Sequence, residues 1–86
     1  MNPLSRKIGR IEESKLRLIQ EQNRERGLIK KEIKTRGSLT IPELSEATGM
    51  QTDKVLNHII AMMQSGQVMV VGEKGDYFMY DLTRRQ

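Results

Sequence analysis

Residues 39–71 have the sequence LTIPELSEATGMQTDKVLNHIIAMMQSGQVMVV. A short helix is predicted from Ile41 to about Thr48, and Gly49 suits the turn that would follow it. A second helix is predicted from about Thr52 to Gln64, because its apolar residues recur three and four positions apart. Two short helices joined by a glycine turn predict a helix-turn-helix.

The residues before the first of these helices carry a start signal. Thr40 and Glu43 stand in the S/T-x-x-E pattern of a capping box, and Pro42 falls in the first turn, where its missing N–H does no harm. The segment 38–41 is long enough only for a single β-bridge. The helix is therefore expected to begin at Ile41.

The residues after the second helix predict a β-hairpin. Val68–Val71 and Tyr77–Leu82 are rich in β-forming residues, and they flank a turn-forming cluster from Gly72 to Asp76. Alternation places Phe78, Tyr80 and Leu82 on one face of the second strand. We expect that face to belong to the core rather than to form a platform for base stacking.

The residues before the helix-turn-helix predict further helix. An imperfect apolar stripe runs along one face of the first segment, at Leu4, Ile8, Ile11, Leu18 and Ile19. Gly27 is expected to break or bend the helix, since glycine costs about 1 kcal/mol relative to alanine. A short helix burying Leu28, Ile29 and Ile33 would follow and end at a left-handed Gly37.

The chain then resembles the winged helix-turn-helix domains of small bacterial and archaeal transcription regulators. The resemblance covers roughly residues 27–83 and rests on Leu39-Thr40, Glu43-Leu44, Ala47, Gly49, Val55, Ile59, Met62 and Gly66. It implies a mainly α (α+β) fold with a C-terminal hairpin wing and an extra N-terminal amphipathic helix. We divide the chain into this helix, 1–26, and the domain, 27–86. The family often has serine before the third helix; Gln51 stands there, so Thr52 is expected to cap.

Composition and charge narrow the function. The chain has 86 residues, no cysteine and one histidine, which leaves no basis for a thiolate metal site, a disulfide or a cysteine nucleophile. It lacks nucleotide-binding motifs and an apolar run long enough to span a membrane. A cytoplasmic protein without cofactor or metal, and not an enzyme, is the expectation. The net charge is +6 over residues 1–37 and −4 over residues 38–83.

Double-stranded DNA is the first predicted partner, because the second helix of a helix-turn-helix enters the major groove. The candidates for base or phosphate contact on that helix are polar and near its start: Gln51, Thr52, Lys54, Asn57 and His58. The candidates for backbone contact are basic residues elsewhere: Lys30, Lys34, Arg36, Lys74 and Arg84. A solvated helix face is an equally good interpretation of the lysines from 30 to 36.

A protein partner is the competing prediction. Leu56, Ile60 and Met63 form an apolar row on the same helix, and Asp53 would repel phosphates. Leu56 and Met63 are otherwise expected to be ordinary core, covered by the N-terminal helix. The stripe from Leu4 to Ile19 predicts a homodimer through the N-terminal helices, although a helix lying on its own domain would explain it as well.

Overall fold

The computed structural model describes the backbone of residues 10–83 and the side chains of residues 13–83. Three helices precede an antiparallel hairpin: α1 (Arg10–Arg36), α2 (Ile41–Thr48), α3 (Thr52–Gln64), β1 (Val68–Lys74) and β2 (Tyr77–Leu82). This order confirms the predicted winged helix-turn-helix, mainly α with a small sheet. No helix in residues 10–83 is both long and apolar enough to cross a membrane.

Helix α1 is continuous through Gly27, so the expected break is wrong. The glycine lies on an exposed face, where an added Cβ would meet no atom within 4 Å. On the other face Ile29 and Ile33 are buried, and their burial outweighs a local cost of about 1 kcal/mol. The boundary predicted between residues 26 and 27 falls inside this helix and stays a prediction.

The end of α1 is formed as predicted. Gly37 has a φ of 90°, and its N–H donates to the carbonyl of Ile33 at 2.8 Å, which closes the helix. Leu39 then pairs with Tyr80 through two backbone hydrogen bonds, of 3.0 and 2.8 Å, as the expected single bridge. Leu28 was predicted to be buried and is exposed, because it points away from the side that carries Ile33.

The helix-turn-helix follows its local signals. Thr40 Oγ1 accepts from the N–H of Glu43 at 3.3 Å, and a Glu43 carboxylate oxygen accepts from the N–H of Thr40 at 2.9 Å. Gly49 makes the turn with a φ of 78°. The expectation that Thr52 caps α3 is wrong: Thr52 is the first helical residue, and Gln51 precedes it without a side-chain capping bond.

The hairpin is longer than predicted. Strand β1 continues to Lys74, which pairs with Tyr77, so the connection is the two-residue turn Gly75-Asp76. The pairing register of the two strands shifts between Val70 and Gly72, as is typical of a β-bulge.

The face of β2 that was predicted to be core is buried only in part. Tyr80 is buried and Leu82 is partly buried against the core, as expected. Phe78 is 53% exposed, contrary to the prediction. It pairs with Glu73 close to the turn of the hairpin, beyond the buried part of the sheet.

One small core joins all the elements. It is formed by Ile29, Ile33, Leu39, Leu44, Val55, Ile59, Met62, Val68 and Tyr80. The core is small, and polar contacts also hold α1 to α3. These contacts determine which side chains of α3 remain available at its outer surface.

Candidate nucleic-acid interface

Helix α3 has a buried face and an exposed face. Val55, Ile59 and Met62 are fully buried, as their spacing predicted. The residues at its start are exposed, and so is Asn57 one turn later. Gln51, Thr52, Lys54 and Asn57 therefore lie on the surface, where a nucleic acid could reach them.

His58 lies on the side of α3 that packs against α1, so its predicted place on the outer surface is wrong. Its side chain is 6% exposed. The Nε of Arg26 donates to His58 Nδ1 at 3.1 Å, and His58 Nε2 lies 2.8 Å from Glu25 Oε1. Since Nδ1 accepts, Nε2 carries the proton and donates to the carboxylate. The histidine is a structural contact between two helices.

Glu25 also holds Lys54. The second carboxylate oxygen, Oε2, lies 2.7 Å from Lys54 Nζ, and Glu25 is 4% exposed while the lysine is half exposed. The hydrogen bond from Lys54, followed by that from His58, lowers the pKa of Glu25. The same hydrogen bond raises the pKa of Lys54. Lys54 thus reaches the surface with its charge already paired.

The lysine of the wing is paired as well. Lys74 Nζ lies 2.6 Å from Glu43 Oε2, and this hydrogen bond, with that from the Thr40 backbone, lowers the pKa of Glu43 to about 2. Glu43 serves two functions at once, since its other oxygen completes the capping box of α2. Both lysines predicted to contact DNA near α3 therefore have carboxylate partners.

The remaining basic candidates do not gather around α3. Lys30 is partly buried and Lys34 is exposed on α1. Arg36 lies on the same helix, with its Nη1 3.7 Å from Glu32 Oε1. Arg84 lies outside the described residues. These positions can add charge to the domain, but Lys30, Lys34 and Arg36 belong to a different element from the helix that would read bases.

A groove separates α3 from the hairpin, with a volume of about 410 Å³. Its walls are mostly apolar and its rim carries two aspartates; it is lined by Ile41, Thr52, Asp53, Leu56, Asp76, Tyr77, Phe78 and Tyr80.

The expectation that Leu56 and Met63 are covered core is wrong: they are 41% and 40% exposed, and Ile60 is 44% exposed. The apolar row predicted as a partner surface is therefore accessible.

The N-terminal stripe is also uncovered where it is described. Leu18 and Ile19 are more than half exposed in the single chain. Leu4 and Ile8 lie outside the described residues, and Ile11 lies within α1 but its side chain is not among those described. The predicted homodimer through this stripe stays a prediction.

Solved structures of two Zα domains are similar to this fold. The apo-Zα domain of zebrafish PKZ gives a TM-score of 0.69 at 19% identity, covering 74% of this chain and 98% of that one. The Zα domain of Carassius auratus PKZ, in complex with Z-DNA, gives 0.66 at 18% identity, covering 72% and 97%. No family model matches the sequence, and no curated protein gives a significant match. The similarity establishes the winged-helix fold.

Proposed function

We propose that this chain is a DNA-binding winged helix that lays the first half of α3 against a duplex. The observation that carries the proposal is the exposed polar start of α3 within this fold. Gln51, Thr52 and Asn57 are all accessible, and asparagine and glutamine can each bind an adenine edge through two hydrogen bonds. That a similar Zα domain was solved with Z-DNA supports DNA as the ligand of such a surface.

The electrostatics of the surface define the kind of binding to expect. Because Lys54 and Lys74 are paired with Glu25 and Glu43, few charges on α3 and the wing are free to neutralise phosphates. Each neutralised phosphate contributes about −0.9 to the slope of log affinity against log salt. We therefore expect binding with a shallow salt dependence, in which polar and apolar contacts carry most of the discrimination.

Fluorescence anisotropy with labelled duplexes tests this proposal. The probes are fragments of the host genome, a random B-form duplex of equal length, and an alternating dC-dG duplex in the left-handed form. Tighter binding to one class than to the random duplex supports the proposal. Equal binding to all of them, or none up to high micromolar protein, refutes it.

Asn57→Ala and Gln64→Ala form a matched pair for the same assay. Both residues are exposed on α3, but Asn57 lies near its start and Gln64 at its end. Loss of a bidentate base contact costs about 1–3 kcal/mol of discrimination. Asn57→Ala should reduce the preference for the selected duplex by that amount, whereas Gln64→Ala should leave it unchanged. Equal effects of the two variants would contradict base recognition by the start of α3.

We propose that the chain regulates transcription as a homodimer that binds two half-sites. The exposed Leu18 and Ile19 would pack against a second copy, spacing two α3 helices at about 34 Å, one turn of DNA. Light scattering on the full chain and on the double variant Leu18→Gln/Ile19→Gln measures the molar mass, and the double variant should be monomeric. Leu16→Gln is the control, since Leu16 is equally exposed but lies off the stripe. A monomeric full chain at high micromolar concentration would contradict the dimer.

One observation favours a second candidate, a protein-binding winged helix that acts as an adaptor or small subunit. The groove between α3 and the hairpin is apolar and has Asp53 and Asp76 at its edge. A partner segment with an aromatic or aliphatic anchor and flanking Lys or Arg would complement it.

Photo-crosslinking in the host distinguishes protein binding through the groove from DNA binding. A crosslinker at Leu56 should capture one protein, and a crosslinker at the exposed Lys31 of α1 should not. The capture should be lost when Phe78 is changed to serine. Capture that survives Phe78→Ser, or that is the same from both positions, would contradict use of the groove.

A further inference from the structure

Two lysines on the surface proposed to meet DNA share one feature. Lys54 on α3 and Lys74 at the end of β1 are each bonded to a glutamate from a different element, at 2.7 and 2.6 Å. Glu25 comes from α1 and Glu43 from α2. The pairs span 29 and 31 positions of the sequence, so the fold, and not local helix geometry, brings each pair together.

We infer that Glu25 and Glu43 set the affinity and salt dependence of DNA binding by holding Lys54 and Lys74 away from the phosphates. This inference rests on the proposed DNA-binding function. It assigns a specificity-determining role to two acidic residues that do not themselves face the duplex as ligands.

Each glutamate has a second hydrogen-bond partner besides its lysine, whereas both lysine side chains are exposed. Glu25 is buried and is also held by His58 at 2.8 Å, and Glu43 is held by the N–H of Thr40 at 2.9 Å. The lysine side chains, in contrast, are 53% and 62% exposed on long flexible stems. To contact a phosphate of the DNA, each lysine must either leave its carboxylate or divide its hydrogen bonds between the carboxylate and the phosphate.

Both carboxylates are ionised at neutral pH. The lysine hydrogen bonds keep the pKa of Glu25 and that of Glu43 below their ordinary value, and the pKa of Lys54 is raised. The carboxylates therefore compete with phosphate throughout the physiological range. A lysine that leaves for a phosphate exposes a carboxylate, which takes up a cation from solution, so the net release of ions is reduced.

This competition favours binding that does not depend on charge. While both lysines are bonded to their glutamates, nonspecific attraction to any duplex is weak. Contacts from residues such as Asn57 then contribute a larger share of the discrimination between duplexes. Removing a glutamate charge should raise affinity for every duplex and lower the ratio of specific to nonspecific affinity.

The test measures anisotropy titrations from 50 to 300 mM salt on the full chain and on Glu25→Gln, Glu43→Gln and the double variant. Glutamine keeps an acceptor for His58 at position 25 and preserves the capping box at position 43. The control is Glu73→Gln, which removes the same charge from the wing beside Lys74. Within residues 13–83, Glu73 has no ion-pair partner. Thermal melting of each variant verifies that it is folded.

Each single variant should steepen the salt slope by about 0.9, which is about an eightfold greater gain in affinity per tenfold dilution of salt. The double variant should change by about twice as much, and Glu73→Gln should leave the slope unchanged. Equal slopes in the wild type, Glu25→Gln and Glu43→Gln, or a slope change of the same size in Glu73→Gln, would overturn the inference while the binding itself stands. Absence of DNA binding by the wild type and all variants would instead refute the proposed function.

Discussion

Replacing Glu25 by alanine should destabilise the domain more than any other single change to a charged residue of α1. The carboxylate is buried and accepts from two groups on α3, the imidazole of His58 at 2.8 Å and the ammonium of Lys54 at 2.7 Å. Without it the buried Nε2–H of His58 has no acceptor, which costs about 1–3 kcal/mol. Lys54 is half exposed and returns to water, so the loss of its ion pair adds little to this cost.

The expected total is about 2 kcal/mol, less the few tenths that alanine returns through helix propensity. In a domain of this size that lowers the melting temperature by about 8–16 °C, at 4–8 °C for each kcal/mol. Urea and thermal unfolding, followed by circular dichroism, measure both quantities. Glu25→Gln keeps an acceptor for His58 and should fall between the alanine variant and the wild type.

Glu21→Ala provides the matched control for this prediction. Glu21 lies one turn earlier on α1 and pairs with Arg24 at 3.0 Å, but both side chains are more than half exposed. Its loss should cost less than about 0.5 kcal/mol. A stability of Glu25→Ala within about 0.5 kcal/mol of the wild type, or an equal loss in Glu21→Ala, would show that the buried contact of Glu25 with His58 does not stabilise the domain.

Three further predictions test the packing, the turn and the ion pairs. Ile29→Ala should cost about 2–5 kcal/mol in urea unfolding because the residue is fully buried. Leu16→Ala, on an exposed part of α1 off the apolar stripe, should cost less than about 0.5 kcal/mol, and equal costs would contradict a core built on Ile29. Gly49→Ala should cost about 1–2 kcal/mol, since the φ of 78° is left-handed, and an unchanged stability would show that the turn relaxes. Folding lowers the pKa of Glu25 below 4.5 and that of Glu43 from 4.5 to about 2. The stability that these two ionised groups contribute is therefore full above pH 4.5 and is lost as the pH falls toward 2. Unfolding measured at stepped pH should show this loss of stability, and a smaller loss in Glu43→Gln, whereas a stability that does not change with pH would contradict it.

The sequence predicted the helix-turn-helix closely because its signals are local. The capping box at Thr40, the left-handed glycines at 37 and 49 and the spacing of Val55, Ile59 and Met62 act within a few residues of each other. Such signals determine where an element begins and ends. They correctly predicted α2, and they predicted α3 apart from its cap.

The errors arose where a tertiary contact overrides a local preference. Gly27 does not interrupt α1, because packing on both sides of it in sequence holds the helix. A helical wheel predicts a surface position for His58, because it cannot show that α1 covers that side of α3. Its partner Glu25 is 33 positions away, and an acidic residue in a charged helix gives no signal of burial.

The exposure of the candidate residues on α3 could be predicted from the sequence, except for that of His58, but their electrostatics could not. Thr52 and Asn57 are exposed on α3 as their positions required. That both lysines of the surface would be paired could not be predicted, because the pairing depends on how α1 and the hairpin fold back onto the helix-turn-helix. Charge counted along the sequence showed only that residues 38–83 are acidic.

The most direct test of DNA binding by α3 and the wing is a ¹H–¹⁵N NMR titration of the full chain with the duplex that binds best. If the start of α3 and the wing contact DNA, the amide signals of Thr52, Asn57, Lys74 and the residues beside them should shift in proportion to added DNA. The signals of the exposed outer face of α1, such as that of Lys31, should shift much less. Shifts confined to the basic face of α1, or none at saturating DNA, would contradict DNA binding by α3 and the wing.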